Sequence, residues 1–335
     1  MRQIIIAIVF IFLLRPVLAQ NIVLVEQGKA TSIRGLSVVD DSVAWVSGSR
    51  GHVAISVNGG KTWNWQQVKG FEQSDFRDIE AFSDKEAIIM SSGTPALILK
   101  TIDGGVNWKA VFRNDDKAYF LDAMAFASPK HGYTMGDPID GKFLLLETKD
   151  AGETWNKYAV QPPALPGEAA FAASGTCLST IDRGNAIVMV TGGSKARKIK
   201  LSKGKVTANI LPIAQGKASQ GVFSYAEGKD KEVFTGGDYE KSTKTDSVAC
   251  YSSLKNKKIN ASLAMYQPAG YQSCVMYLQG NSFLSTGTPG TNLTTDGGNT
   301  WRQIDVVSYN VCQKAKKGSL VILAGDKGKI GLLKL

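Results

Sequence analysis

The chain has 335 residues, of which 43% are hydrophobic and 20% are charged, and 35 are glycine, so the composition is that of a turn-rich globular protein rather than a disordered one. Only two histidines are present, which leaves little material for a histidine-rich metal site or a Ser-His-Asp triad. The formal net charge is +10, but no stacking aromatic residues are interleaved with the lysines, so nucleic acid is not an expected partner.

The first 19 residues have the pattern of a signal peptide. Arg2 gives a positive start, residues 4–14 form an apolar run, and small residues lead up to Ala19. The alternative is an uncleaved membrane anchor, but the apolar run is short for a bilayer span. We therefore expect cleavage near Ala19, a secreted or periplasmic location, and one mature domain over residues 20–335.

Four copies of the phrase Ser/Thr-x-Asp-x-Gly-x-Thr-Trp, known as the Asp-box, organise the mature chain. They cover residues 56–63, 101–108, 148–155 and 294–301, with Asn replacing Asp in the first and Thr in the second. The carboxylate can accept hydrogen bonds from the amides of a tight turn, and glycine permits positive φ. The tryptophan begins the next strand and can bury its ring. We predict structural rather than catalytic roles for Asn58, Asp103, Asp150, Asp296, Trp63, Trp108, Trp155 and Trp301.

The spacing of the boxes predicts seven repeats. Asn58 and Asp103 are 45 residues apart and Asp103 and Asp150 are 47 apart, whereas 146 residues separate Asp150 from Asp296 and leave room for two repeats without a box. A short apolar strand that ends in a glycine turn also recurs seven times. Such a period without helical heptads is typical of an all-β protein, a seven-bladed β-propeller with one four-stranded blade per repeat.

Both ends of the chain contribute to the predicted ring. The strands of the first blade are expected at residues 33–39, 43–47, 52–56 and 61–68. The last blade has only three predicted strands, whereas residues 21–26 form a predicted strand that is not part of any repeat. We expect this N-terminal strand to complete the last blade and close the ring, because an open ring would leave unpaired sheet edges.

The face opposite the Asp-boxes is the predicted binding face. Boxes lie on the turns between the third and fourth strands, so the loops that connect the second and third strands, and those that connect blades, share the other face. Arginine forks there would suit a carboxylated or hydroxylated ligand; the alternative is that the arginines and carboxylates pair with one another across blades. The candidate ligand-binding residues are Arg34, Arg50, Arg77, Asp78, Asp122, Asp137, Glu168, Asp238 and Tyr239.

The four cysteines all lie in the mature chain, at Cys177, Cys250, Cys274 and Cys312. Export permits oxidation, and three pairings are possible. Cys274 and Cys312 occupy matching places in successive repeats and are our first expectation for a bridge. The alternative is four buried thiols that act as small hydrophobic residues.

The positive charge is concentrated in one region. Between Lys195 and Lys258 the sequence has fourteen basic and six acidic residues. This region would either contact an anionic polymer or membrane surface or form a solvated strand and loop.

The sequence gives less support to an enzymatic function than to a binding function. A sialidase-like glycoside hydrolase would need an arginine cluster, an acid and a nucleophile such as tyrosine assisted by glutamate. The mature chain has seven arginines, and Tyr239 and Glu240 are adjacent, so that on a strand they would point apart. No G-x-G-x-x-G motif opens a helix after a strand. We expect no cofactor and no metal.

Several motifs resemble those of photosystem II stability/assembly factor-like propellers, also called BNR-repeat proteins, and above all their secreted bacterial branch. They are residues 100–108 and 293–301, the segments 33–37 and 76–79, and residues 165–176. The resemblance implies a seven-bladed propeller and, for the plant and cyanobacterial branch, a non-enzymatic role in binding an assembling membrane-protein complex. Arg34 and Arg77 match the family's arginines near the starts of the innermost strands.

The photosystem partner is not carried over, because two blades lack boxes and nothing indicates a photosynthetic host. The oxidoreductase label often attached to the bacterial branch has no support in the residues. We expect an exported, monomeric, non-enzymatic propeller that binds a protein, peptide or glycan, with a polysaccharide-directed glycoside hydrolase as the alternative.

Overall fold

The computed structural model describes residues 21–255 and 260–334, and the predicted signal peptide, residues 1–19, lies outside this part. The described residues form seven antiparallel sheets arranged as the blades of a propeller, which confirms the predicted fold class. Two 3-10 turns, Asp182–Gly184 and Tyr239–Lys241, interrupt the strands. No helix in the described ranges is both long and apolar enough to cross a membrane.

Each blade has four strands, which we call A to D from the channel outward. The strand β1 (Asn21–Glu26) precedes the first blade. The first three blades contain β2 (Ile33–Val38), β3 (Ala44–Gly48), β4 (His52–Ser56) and β5 (Asn64–Gln67); β6 (Asp75–Ala81), β7 (Ala87–Ser92), β8 (Ala96–Thr101) and β9 (Lys109–Asn114); and β10 (Leu121–Ser128), β11 (His131–Ile139), β12 (Lys142–Thr148) and β13 (Asn156–Lys157).

The remaining blades include two short accessory strands, β14 (Glu168–Ala169) and β17 (Gly192–Gly193), which extend the inner edge of blade 5. The fourth blade contains β15 (Leu178–Ile181), β16 (Ala186–Val190), β18 (Arg197–Ser202) and β19 (Lys205–Ile210). The fifth contains β20 (Gln220–Glu227), β21 (Lys231–Asp238), β22 (Ala249–Ser253) and β23 (Ser262–Leu263). The last two contain β24 (Cys274–Gln279), β25 (Ser282–Gly287), β26 (Gly290–Thr294) and β27 (Arg302–Asp305), and β28 (Val311–Lys314), β29 (Val321–Ala324) and β30 (Ile330–Lys334).

The N-terminal strand closes the ring as expected. β1 pairs antiparallel with β30, from Asn21 opposite Lys334 to Glu26 opposite Ile330, and becomes the outer strand of blade 7. One sheet thus contains both ends of the described chain. This pairing converts two exposed sheet edges into one hydrogen-bonded ladder.

The Asp-box turns have the hydrogen bonds that their residue types suggest. In the third blade, the Asp150 carboxylate accepts from the Thr154 amide at 2.9 Å and from its hydroxyl at 2.6 Å. These bonds hold the pKa of Asp150 at about 2. In the first blade the amide of Asn58 substitutes for the carboxylate, accepting from the Thr62 amide and donating to its hydroxyl at 2.8 Å.

The box tryptophans pack against the preceding blade. Trp108 meets Trp45 of blade 1 edge-on, with ring centroids 6.4 Å apart. Trp155 lies in a core cluster with Ile88 of blade 2, and Trp301 in one with Val233 of blade 5. Each of these boxes therefore fixes a turn and also supplies an apolar contact between blades.

Blades 4 and 5, which lack boxes, contain buried ion pairs instead. Arg197 and Glu168 form a two-pronged pair, and Lys198 pairs with Glu232, which also accepts from Ser252. All four charged residues are less than a tenth exposed. Arg197 and Lys198 belong to the basic region between Lys195 and Lys258, but they are internal and cannot contact an anionic surface.

The four cysteines are buried free thiols, which corresponds to the second of the two alternatives rather than to the expected bridge. Cys274 and Cys312 nevertheless lie on neighbouring innermost strands with their Sγ atoms 3.7 Å apart. They fill space between blades 6 and 7 as small apolar residues.

Replacing Glu232 tests the buried pairs. In Glu232→Gln the Lys198 ammonium, 4% exposed, keeps its charge without a counter-charge, so we expect a loss of about 3–5 kcal/mol in the free energy of unfolding. Urea denaturation measures this loss. The Lys198→Met/Glu232→Gln double variant should recover part of the stability, and a double variant less stable than Glu232→Gln would contradict the explanation.

Blade 6 offers a test of the box turn. Asp296 accepts from the amide and hydroxyl of Thr300 at 2.9 and 2.7 Å, so Asp296→Ala should lower the free energy of unfolding by about 1–3 kcal/mol. The matched control is Asp296→Asn, which can adopt the arrangement seen at Asn58 and should lose less than half as much. Equal losses would show that the negative charge, not the turn geometry, matters.

Candidate functional site

The upper face, defined as the face with the B–C and D–A loops, contains a cavity of about 470 Å³. The starts of the innermost strands and the connecting loops line it. We call this cavity the upper chamber; its side chains include Arg34, Arg77, Asp122, Phe171, Phe223, Tyr239, Tyr271 and Asp326. Four of the predicted ligand-binding residues, Arg34, Arg77, Asp122 and Tyr239, are therefore brought together.

A loop that we call the plug, residues 170–177, crosses the channel beneath this chamber. Ser174 donates to the Ser273 carbonyl of blade 6 at 2.8 Å, and the Thr176 hydroxyl meets that of Ser224 in blade 5 at 2.6 Å. On the other side Gly175, at φ 71°, lies so close to Asp78 of blade 2 that a Cβ would come within 2.3 Å of its carboxyl oxygen. Glycine is required here for both reasons.

The two arginines reach the plug from blades 1 and 2. Arg34 donates to the Ala173 carbonyl at 3.2 Å and Arg77 to the Ala172 carbonyl at 3.4 Å. Arg77 also pairs with Asp75 on its own strand at 2.7 Å. Because a guanidinium group has five N–H donors, both arginines retain donors that a ligand could use.

Asp122 is the least satisfied polar group of the chamber. Its side chain is completely buried, and neither carboxyl oxygen has a hydrogen-bond partner among the described residues. Burial raises the pKa of Asp122 far above its usual range; the charge of Asp137 adds to the rise, whereas the charge of Arg77 opposes it. Burial therefore favours the protonated form of this carboxyl.

An aromatic wall borders the arginines. Phe171 of the plug stacks on Phe223 with ring centroids 3.8 Å apart and planes 15° from parallel. Tyr271 and Tyr239 meet Phe223 edge-on at 4.9 and 6.1 Å. Tyr239 is 47% exposed and forms the open end of the wall.

Three other predicted residues lie on this face but have internal partners. Asp137 accepts from the Ala170 amide at 3.0 Å, which anchors the start of the plug. Glu168 is held by Arg197, and Asp238 accepts from Gln220 at 3.0 Å and caps the 3-10 turn that positions Tyr239. Their geometry supports the chamber, and none of the three side chains lines it.

The last two predicted residues lie elsewhere. Arg50 is an exposed residue of the turn between β3 and β4 and is not part of the chamber lining. Asp78 lies below the plug, where it accepts from the Ile79 and Met124 amides at 2.8 and 2.7 Å. Burial raises the pKa of Asp78 to about 8, against the opposing effect of these bonds.

The plug separates the upper chamber from a second cavity. This lower chamber of about 640 Å³ is lined by the ends of the innermost strands of all seven blades and includes Asp78, Thr176, Glu227 and Lys314. It belongs to the side of the ring that carries the Asp-boxes. Although it is larger, it has no cluster of guanidinium and aromatic groups like that of the upper chamber.

Sequence reasoning did not find three aromatic residues of the upper chamber: Phe171, Phe223 and Tyr271. Phe171 lies in a segment that carried the family resemblance, so it had a local signal. Phe223 and Tyr271 appear in the sequence as ordinary strand and loop residues. Only the crossing of the plug brings Phe171 onto Phe223.

Comparison with known proteins finds similarity to photosystem II assembly factors. Residues 21–118 match the family model described as photosynthesis system II assembly factor YCF48. The curated photosystem II assembly lipoprotein Ycf48 of Synechococcus sp. (strain CC9902) is 24% identical over 154 residues, covering 45% of this chain and 44% of the relative. The match thus spans less than half of that relative's length.

Two solved structures share the fold over nearly the whole chain. YCF48 bound to D1 peptide has a TM-score of 0.68 at 15% identity and covers 95% of this chain and 96% of its own. YCF48 from Cyanidioschyzon merolae has a TM-score of 0.66 at 15% identity, with coverage of 93% and 98%. At this identity the likeness establishes the propeller architecture.

The buried carboxyl of Asp122 predicts a pH dependence. In the unfolded chain an aspartate loses its proton near pH 4, whereas burial raises the pKa of Asp122 in the folded protein. The higher pKa of Asp122 in the folded protein therefore contributes stability that is fully present below about pH 4. This stability is lost as the pH rises from about 4 towards the folded-state pKa of Asp122. In Asp122→Asn, which cannot ionise, melting temperatures should fall less between about pH 5 and pH 9 than in the wild type.

The stability of Asp122→Asn should still depend on pH to some extent, because Asp78, with a pKa of about 8, is unchanged in that variant. The control is Asp140→Asn, at an exposed turn position, which should keep the wild-type slope. Parallel slopes for the wild type and Asp122→Asn would contradict the assignment.

Proposed function

Since this chain is a photosystem II assembly factor-like propeller, we propose that it is an exported, non-enzymatic binding protein whose upper chamber takes a segment of a protein or peptide. One observation carries the proposal: two half-buried guanidinium groups and an aromatic wall line the same open cavity. Clefts of this size, with an apolar surface and a few convergent polar groups, are typical binding sites.

The chemistry of the chamber favours a ligand that combines a carboxylate with an apolar side chain. Arg34 and Arg77 are bound to plug carbonyls at 3.2 and 3.4 Å, and a carboxylate would form shorter, charge-assisted bonds with their remaining donors. Tyr239 and the half-buried Phe171 offer ring surface beside these groups. A peptide supplies both kinds of group at neighbouring positions.

The relatives support a peptide ligand and export. A YCF48 protein has been solved bound to a D1 peptide, and the curated Synechococcus relative is a lipoprotein, hence an exported protein. For this chain we propose export with cleavage near Ala19 and a peptide-sized partner, and no photosystem partner. A glycan remains a second candidate ligand, because forked guanidinium bonds also suit sugar carboxylates and hydroxyls.

Glycoside hydrolysis has less geometric support. Hydrolysis needs two accessible carboxyl groups on either side of the scissile bond. Of the chamber's two carboxyls, Asp122 is completely buried, and Asp326 accepts from Ser32 at 2.5 Å and from Asn310 at 2.9 Å. Neither carboxyl is free to act on a bound sugar in this arrangement.

Binding and turnover can be tested on the same protein. We would screen the mature chain against peptide and glycan arrays, measure affinities of the hits by calorimetry, and test the glycans for hydrolysis. The test variant is Arg34→Gln/Arg77→Gln, which removes the forked donors. The matched control is Arg50→Gln, an arginine on the same face that lies outside the chamber.

We expect a peptide with an acidic group to bind without turnover. Loss of two charge-assisted contacts should weaken binding at least about a hundredfold in the double variant, with Arg50→Gln close to the wild type. Equal affinity in all three proteins would exclude the upper chamber as the site. Hydrolysis of any glycan that is lost in the double variant would replace the binding proposal with an enzymatic one.

A further inference from the structure

The lower face, defined as the face with the A–B and C–D turns, has an uneven distribution of charge. In an antiparallel blade these two kinds of turn lie at the same end, so all of them share this face. In blades 2, 3 and 6 the C–D turn is an Asp-box with its carboxylate. In blades 4 and 5 the boxes are absent and the turns are basic.

Four cations of these basic turns have no ion-pair partner within the described ranges: Arg183, Lys203, Lys205 and Lys229. All four are exposed. Arg183 belongs to the A–B turn of blade 4 and Lys229 to the A–B turn of blade 5. Lys203 lies in the C–D turn of blade 4, and Lys205 is the first residue of β19 after that turn. We call them the basic turn set.

Acidic residues nearby do not cancel this charge. Asp182 is 3.3 Å from Lys200, and Asp230 is 3.3 Å from Lys255. The two carboxylates of these turns thus have cationic partners of their own. Glu227, the last residue of β20, accepts from the Tyr225 hydroxyl at 2.8 Å and is one negative charge beside four positive ones, so the basic turn set leaves a net positive charge.

The position of the set also separates it from the rest of the basic region. Arg197 and Lys198 are buried in ion pairs, so they add no charge to the surface. The lysines at 217 and 241 lie in loops on the opposite face. The cations of this basic region that reach the lower face therefore all belong to two adjacent blades, 4 and 5.

We propose that the basic turn set docks the propeller on an anionic lipid bilayer. Its cations are spread over three turns and line neither chamber, so they form no enclosed cradle for a single phosphate group. Long, exposed basic side chains distributed over one face suit an extended surface of negative headgroups. Leu254, 38% exposed on the adjoining C–D turn of blade 5, adds an apolar contact.

Docking in this orientation turns the upper chamber away from the lipid. The chamber opens on the face opposite the basic turn set, so a ligand reaches it from the aqueous side. This inference does not depend on the identity of the chamber's ligand. Its test is likewise independent of peptide binding.

Vesicle co-sedimentation of the mature protein provides the test. The probes are vesicles of phosphatidylglycerol with phosphatidylcholine, and vesicles of phosphatidylcholine alone. The test variant is Arg183→Gln/Lys203→Gln/Lys205→Gln/Lys229→Gln. The matched control, Lys117→Gln/Lys142→Gln/Lys217→Gln/Lys241→Gln, removes the same charge from exposed loops of the upper face. Thermal melts establish that both variants fold.

The wild type should bind the anionic vesicles at low salt and not the zwitterionic ones. Each neutralised residue should weaken partitioning about fivefold, so the test variant should lose about two orders of magnitude or more, and the control little. Binding should also decline as salt shortens the Debye length from about 10 Å to about 3 Å.

Three outcomes would overturn the proposal. They are no binding of anionic vesicles by the wild type, equal losses in the two variants, and binding that persists at high salt. Binding to heparin without binding to vesicles would identify the partner as a soluble polyanion instead.

Discussion

Closure of the ring determines how every blade packs. Seven wedge-shaped sheets bury their faces only against one another, and the contact between the last blade and the first requires β1 to pair with β30. Once that ladder forms, the starts of all innermost strands converge on one mouth and their ends on the other. Both chambers, and the division of the loops between two faces, follow from this closure.

Neighbouring blades are held together by two kinds of contact. Where an Asp-box is present, a carboxylate or amide holds the turn and a tryptophan covers the preceding blade. In blades 4 and 5 buried ion pairs such as Lys198 with Glu232 connect neighbouring strands and blades instead. A buried pair must be complete to be tolerated, whereas a box turn accepts asparagine, as Asn58 shows. The turns of these two blades, which lack the box, are basic.

Local chemistry made much of the fold predictable from sequence. The strands of blade 1 begin and end within three residues of the predicted positions, and the closing strand lies at Asn21–Glu26 as expected. The site was less predictable, because its contacts join distant residues: Glu168 pairs with Arg197, and Phe171 stacks on Phe223. Strand starts could place Arg34 and Arg77 on one rim, but no spacing reveals that a loop crosses the channel and binds both.

That crossing has a consequence for transport. Many rings of sheets enclose an axial passage, but here the plug interrupts it with hydrogen bonds to blades 1, 2, 3, 5 and 6. Solutes therefore cannot diffuse through the molecule in this conformation, and the two mouths act as separate compartments. A molecule bound in one chamber can influence the other by displacing the plug between them. The ring therefore offers two separate cavities on opposite faces rather than one continuous channel.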